Sequence, residues 1–413
     1  MGSFVTHLEG SLDGSRHDHR QLQTTHAGRP LLVRYDLGAI ARAVARAEIE
    51  RRPATLWRWR ELLPVEADEH VVSLGEEETP LLSCPRLARE VGLEQLWIKD
   101  ESHLPTGSFK ARGLALAISR AKELGVRRVA IPTAGNAGGA LAAYAARAGL
   151  EAFVFLPADT PLVNRGEVSL FGAHAILVDG LITDCAALVQ AGTARMGWFD
   201  VSTLKEPYRL EGKKTMGLEL ALQLGWTLPD VILYPTGGGT GLVGMAKAFD
   251  ELAQLGWLES TRRPRFIACQ SDGCAPIVRA WEKGERFAAP ATDPATIASG
   301  LRVPRAVGDF LILDAVRASG GAALAAGEQE ILPWMRRASR LEGIGLCPES
   351  AACLAVLPQL VQSGALARDA RVVVFNTGAA QKYAECLPGE RLRLARGAAP
   401  DWQALAAERG PQE

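Results

Sequence analysis

The chain has 413 residues, too many for one simple core, so two or more domains are expected. Hydrophobic residues make up 47% and charged residues 23%, the balance of a soluble globular protein. A formal net charge of -1 gives no electrostatic footprint for nucleic acid or an anionic membrane, which excludes both as expected partners.

The seven cysteines are scattered, with no Cys-x-x-Cys pair and no zinc spacing, which reads as reduced thiols in a cytoplasmic protein with no metal. No run approaches the ~18 apolar residues of a membrane span, and the N-terminus lacks the regions of a signal peptide. Gly2 with Thr6 fits a myristoylation pattern by chance.

In chain order, residues 1 to 30 are polar and carry His7, His17, His19 and His26, read as a solvated surface loop rather than a metal site. Residues 37–52 predict an early helix, and 75–80 a loop into the main fold. From residue 95 strands and helices alternate. Strands are predicted at 96–99, 129–132, 152–156, 175–178, 231–234, 266–269 and 372–375. Helices are predicted after residue 110 to 124, from 136 to 147, and after 241 to 256. Short apolar strands between helices imply parallel sheets covered on both faces. The Ala-rich tail after 387 reads as peripheral.

Four segments can carry chemistry. Lys110 stands in Pro105-Thr106-Gly107-Ser108-Phe109-Lys110-Ala111-Arg112-Gly113, and a lysine amine can form a Schiff base with an aldehyde cofactor. Gly237, Gly238, Gly239, Thr240 and Gly241 lie between a strand and a helix, where free N–H groups and the helix dipole make an anion cradle. The spacing fits neither the P-loop nor Gly-x-Gly-x-x-Gly, so a phosphate site is expected, not a nucleotide site. Asn136 begins a second strand-turn-helix; it can hold a ligand or simply cap the helix. Thr377 follows a buried strand, where its hydroxyl can meet a ligand at the strand's carboxyl end or Thr-Gly can simply make a turn. Basic residues cluster at Lys205, Arg209, Lys213 and Lys214 and again at Arg302 and Arg305. They form a solvated face unless one or two turn inward to a phosphate. No Gly-x-Ser-x-Gly elbow or His-Glu-x-x-His is present.

Taken in order, these segments give the chain its likeness. They run from Trp97-Ile98-Lys99-Asp100-Glu101 into Thr106–Lys110, then PTAGNAGGALAAYAARAG (132–149) and EGKKTMGLEL (211–220). PTGGGTGLVGMAKAF (235–249), SGLRVP (299–304) and FNTG (375–378) follow. The chain resembles the threonine synthase branch of the type II, tryptophan synthase β-like, pyridoxal phosphate enzymes, over roughly residues 30–385. The resemblance implies an α/β type II fold of two doubly wound α/β domains with pyridoxal 5'-phosphate in the cleft. Residues 1–112 and 211–413 would form the larger domain and 113–210 a smaller, mobile one. Lys110 would be the Schiff-base lysine, Phe109 would pack beside the cofactor, and Asn136 would meet its ring hydroxyl. Gly237 to Gly241 would bind its phosphate, and Thr377 would face its ring nitrogen. Thr133, Ala134, Gly135, Asn136 and Ala137 would hold the substrate carboxylate, with Lys213, Lys214 or Arg302 at the substrate phosphate.

The implied reaction is that of a carbon–oxygen lyase, converting O-phospho-L-homoserine and water to L-threonine and phosphate in a homodimeric enzyme. A β-replacement or deaminating lyase, cysteate synthase-like or threonine dehydratase-like, is the alternative. Two departures stand out. Gly10 and Asp13 occupy places where the branch often carries the cysteines of a zinc knuckle. Ala379-Ala380-Gln381 replaces the Ser-Gly or His-Gly expected after Thr-Gly, beside the cofactor.

Overall fold

The structure is a computed structural model that describes residues 3–389 and 394–403. The myristoylation pattern at Gly2 and part of the Ala-rich tail lie outside the described residues.

Two parallel sheets organise the chain. The larger has six strands in the order Ala322–Ala326, Arg265–Ser271, Val231–Pro235, Arg371–Asn376, Gln95–Asp100, Leu81–Ser83, parallel except for the last pair. Both faces of its central strands are covered, so they read as unbroken apolar runs. Ile232, Tyr234, Val373 and Phe375 face one core. Val231, Leu233, Val372 and Val374, one residue out of step, face the other. The smaller sheet has four parallel strands in the order His174–Val178, Glu151–Pro157, Arg128–Pro132, Phe199–Asp200.

Three strands of these sheets escaped the sequence reading. Ala322–Ala326 is alanine-rich, a helix-forming composition that pairing with Arg265–Ser271 overrides. Leu81–Ser83 and Phe199–Asp200 are too short for a period to show.

The N-terminal segment is not the loop that its polarity suggested. Val5–Gly10 pairs with Arg16–His17 and Leu31–Tyr35 in a three-stranded antiparallel sheet. Leu8, Leu31 and Val33 are buried there with Ala117 and Tyr208. One buried leucine in a polar strand leaves no alternation to read; the strand exists because Leu31–Tyr35 supplies its partner. The histidines are spent locally: the His17 and His26 rings lie 4.5 Å apart, and His26 Nε2 is 3.1 Å from Asp13. The predicted helix over 37–52 is two helices, Leu37–Ala43 and Arg46–Arg51, because Val44 and Ala45 are extended between them.

The helix Lys110–Glu123 joins the two sheets' helical layers. It packs on Tyr208–Gln223 on one side and on Asn136–Ala148 on the other. Its first turn is pinned by Arg112, which is fully buried. Arg112 donates to Glu101 at 2.6 and 2.8 Å and to both oxygens of Glu219 at 3.0 Å. Such paired, hydrogen-bonded charges fix a geometry that dispersion contacts alone leave loose.

Candidate active site

In both sheets the functional loops leave the carboxyl ends of strands, where ligands of open α/β sheets bind. Asp100 leads to the lysine loop, Pro132 to the Asn136 turn, Pro235 to the glycine turn and Asn376 to Thr377.

The lysine loop is tied to the Thr377 turn by the backbone. Phe109 N–H donates to Thr377 O at 3.1 Å and Ala379 N–H to Gly107 O at 2.9 Å. The parallel pairing of Gln95–Asp100 with Arg371–Asn376 brings these loops side by side, 270 residues apart in the chain (roughly, by loop position). Thr106 is left-handed at φ 59, an uncommon and costly conformation for a non-glycine residue. It turns the chain sharply ahead of Lys110, the first residue of its helix.

Lys110 lines a cavity with about 1290 Å³ of empty space, its open mouth included. Its amine lies 4.3 Å from the centre of the Phe109 ring. Burial, and then the cationic Arg209, push the Lys110 ammonium down to about 8, against the opposing pull of Glu349 and Cys347. Near neutral pH a useful fraction of the amine is therefore uncharged and nucleophilic.

Asn136 is the first residue of the helix Asn136–Ala148, with Gly135 at the cap position. Its side chain does not cap. Nδ2 donates to the Tyr383 hydroxyl at 3.2 Å, and Oδ1 is buried with no partner. The choice left open by the sequence thus resolves toward the cavity, which Thr133, Ala134, Gly135 and Ala137 also line.

The glycine turn lines the opposite wall. Gly239 is left-handed at φ 73 and caps the helix Thr240–Gln254. A Cβ at Gly239 would meet Ile312 Cδ1 at 2.2 Å, so its glycine is required by the chain's own crowding as well as by φ. The start of the helix leaves its first N–H groups without intrahelical acceptors, aimed as an anion cradle. Thr377 N–H donates to Ser350 Oγ at 2.9 Å and its hydroxyl lies 3.6 Å from Cys347 Sγ, which sets the side chain at the cavity wall. Phe109 meets Tyr234 edge-on at 6.2 Å.

The three basic candidates part company. Arg302 lines the cavity, held by Asp159 at 2.6 and 2.8 Å. Lys213 and Lys214 do not reach it. Both lie in Tyr208–Gln223, a helix covered on nearly every side, so their amines turn into protein. Lys213 donates to Phe109 O, and its pKa falls well below the lysine range, through burial first and then its neighbour Lys110. Lys214 is bound to Glu211 at 2.6 Å and Glu251 at 2.8 Å. Lys205, part of the basic cluster in the sequence, does line the cavity, 3.2 Å from Asp200. Sequence reasoning missed Ser299, Glu349 and Tyr383, which also line it. SGLRVP contains Ser299, but nothing in the local pattern marks the other two.

The donor set fits pyridoxal phosphate. Its aldehyde would meet the Lys110 amine, its ring oxygen Asn136 and its phosphate the glycine turn. Buried polar atoms without partners, Asn136 Oδ1, Ser299 Oγ and Tyr234 OH, gather where such a ligand would supply them.

Comparison with known proteins agrees. Residues 72–378 match the model of the pyridoxal-phosphate dependent enzyme family. Solved structures of the same fold include maize serine racemase (24% identity, TM-score 0.64, 73% of this chain and 88% of that one). Diaminopropionate ammonia lyase from Escherichia coli gives 22% identity and a TM-score of 0.65, over 77% of this chain and 89% of that one. The chain belongs to the pyridoxal-phosphate dependent enzymes and has their type II fold. Within that family it is similar to threonine synthases. It is 35% identical to that of Methanocaldococcus jannaschii over 86% of this chain and 88% of the relative. It is 36% identical to that of Methanosarcina acetivorans over 84% of each.

Proposed function

We propose that this enzyme converts O-phospho-L-homoserine and water to L-threonine and phosphate, a β,γ-replacement. The observation that carries the reading is one cavity lined by Lys110, two strand-to-helix turns and the cationic Arg302 and Lys205. A substrate with a carboxylate at one end and a phosphate at the other fits that distribution. The similarity to threonine synthases supports it.

Pyridoxal phosphate, which the glycine turn, Asn136 and Thr377 would hold, would supply an electron sink for the charge left at the substrate α-carbon. The Thr377 hydroxyl is neutral and does not force a proton onto the ring nitrogen. Lys110 tethers the cofactor through its amine and, once released, removes the α-proton and returns it. The N–H groups at 133–137 orient the substrate carboxylate, and Arg302 exchanges Asp159 for the substrate phosphate. The unit of residues 113–210 closes over the cavity and keeps water from unproductive steps.

Proton NMR of the cofactor-loaded enzyme with O-phospho-L-homoserine tests this directly. Threonine and phosphate should appear together. A cofactor that exchanges with amino acids, without threonine, moves the assignment to a β-replacement or deaminating lyase. The observation favouring that second reading is the Ala379-Ala380 turn, whose backbone is bonded to the lysine loop.

A further inference from the structure

Lys110 is one base, yet the proposed reaction moves protons at three carbons. The substrate loses a proton at Cα and regains it. It loses one at Cβ, which takes the hydroxyl of water. The Cβ–H electron pair forms a Cβ–Cγ double bond as the Cγ–O bond breaks and its pair leaves with phosphate, and Cγ then gains a proton. The second proton of water departs with that phosphate, so atoms and charge balance. Lys110 carries one proton at a time, so the Cβ and Cγ transfers leave room for a second acid/base.

Among the described residues that line the cavity, Glu349 is the sole carboxylate. It is 5% exposed. One oxygen, Oε1, accepts from the Tyr383 hydroxyl at 2.8 Å and from Gly300 N–H at 2.7 Å. These bonds fix the plane of the carboxylate. The other, Oε2, is buried and has no partner. A buried carboxylate oxygen left unpaired is costly and calls for an explanation, of which a catalytic role is one.

Its position follows from its neighbours. Ser299 lies against the turn that would hold the substrate carboxylate, 3.5 Å from a Cβ built at Gly135. Arg302, at the phosphate end, is three residues further on. Gly300, between them, is the residue bonded to Glu349, and a Cβ there would meet Oε1 at 2.8 Å. Glu349 thus touches, through Gly300, the Ser299–Arg302 segment of the cavity lining and, through Tyr383, the Asn136 turn.

We infer that Glu349 is the second acid/base of the site: its free oxygen takes the proton from Cβ and delivers it to Cγ, while Lys110 works at Cα. Tyr383 and Gly300 are its positioning partners. The inference rests on the proposed reaction for its substrate, and its test separates the two.

The holoenzyme is followed by proton NMR in D₂O with O-phospho-L-homoserine, and separately with L-2-aminobutyrate, which has four carbons and no leaving group. The wild type should exchange both the Cα and Cβ protons of aminobutyrate. Glu349→Gln keeps an oxygen for Tyr383 and Gly300 but cannot carry a proton. It should retain Cα exchange within about threefold and lose Cβ exchange and threonine formation by about 10²-fold or more, the scale of a missing general base. Fluorescence titration of the apo-variant with pyridoxal phosphate should give wild-type affinity. Unchanged Cβ exchange overturns the inference. So does joint loss of cofactor affinity and both exchanges, which would mark Glu349 as a structural prop. Wild type that exchanges Cα alone overturns it too. Wild type that exchanges both positions yet makes no threonine, with Cβ exchange lost in Glu349→Gln, sinks the reaction and leaves Glu349 supported. Should the Gln variant not fold, Tyr383→Phe removes one of the two aiming bonds; it should slow Cβ exchange about tenfold and spare Cα exchange, and equal slowing of both would overturn the inference.

Discussion

The two walls of the cavity are held in different ways. On the side of the six-stranded sheet, the lysine loop rests on charges with no access to water: Arg112, Glu101, Glu219 and Lys99 are at most 2% exposed. On the side of the four-stranded sheet, one tie to the opposite wall is an ion pair at the rim, Arg302 with Asp159, whose side chain is 62% exposed; a second, Lys382 with Glu167, is mostly buried. The outer strand of that sheet, His174–Val178, is largely exposed, as are Leu162 and Leu170 on the neighbouring helix. A cofactor anchor must keep one geometry through every turnover, whereas a wall that admits substrate must let go. Buried pairs suit the first task and rim pairs, weak in water, suit the second.

The largest effect should come from the anchor itself. Lys110→Ala removes both tether and base, so turnover should fall by at least about 10³-fold. Borohydride reduction followed by mass spectrometry should find no cofactor fixed to the chain. Retained turnover would refute the assignment of Lys110. The same amine gives a pH signature. With the ammonium lowered to about 8, capture of pyridoxal phosphate by the apo-enzyme should quicken as pH rises toward 8 and level off above it. An ordinary lysine would keep gaining toward its usual value near 10.4. Stopped-flow absorbance at a series of pH values decides between them.

Next comes the buried support. Arg112→Leu leaves Glu101 and Glu219 in the interior with Lys99 as their remaining cation. Removing one partner of such a network costs about 3–5 kcal/mol, read as a lower urea midpoint at unchanged slope. Because Arg112 lies two residues past Lys110, cofactor affinity should fall as well. A loss under about 1 kcal/mol would mean the two walls are less unlike than their burial suggests.

How much of this was legible in the sequence follows from where each signal lives. Lys110, Asn136, the glycine turn and Thr377 each occupy a strand's carboxyl end, and strand-then-turn is a local pattern. All four converge on one cavity. Lys213 and Lys214 do not line the cavity, because a run of basic residues says nothing about which face of a helix is covered. In Tyr208–Gln223 nearly every face is. Glu349 and Tyr383 were invisible for the complementary reason. Each is ordinary in its own segment and acquires meaning through Gly300 and Asn136, far away in sequence. The strands Val5–Gly10 and Ala322–Ala326 were hidden likewise, since pairing partners and not their own residues make them strands.

The smallest effects should come from the rim. Arg302→Ala breaks a partly exposed pair, so stability should change by no more than about 1 kcal/mol. The KM for the phosphorylated substrate should nonetheless rise about tenfold, equivalent to about 1.4 kcal/mol of binding, with kcat little altered. Asp159→Asn probes the same pair from the other side. It frees Arg302 from a competing carboxylate that the guanidinium itself holds below the usual aspartate range. Substrate phosphate then no longer has to displace Asp159, so KM should fall by about two- to threefold while melting temperature stays within about 2 °C. If both substitutions raise KM, Asp159 helps to place the arginine for substrate instead of competing for it, and the rim pair belongs with the rigid wall.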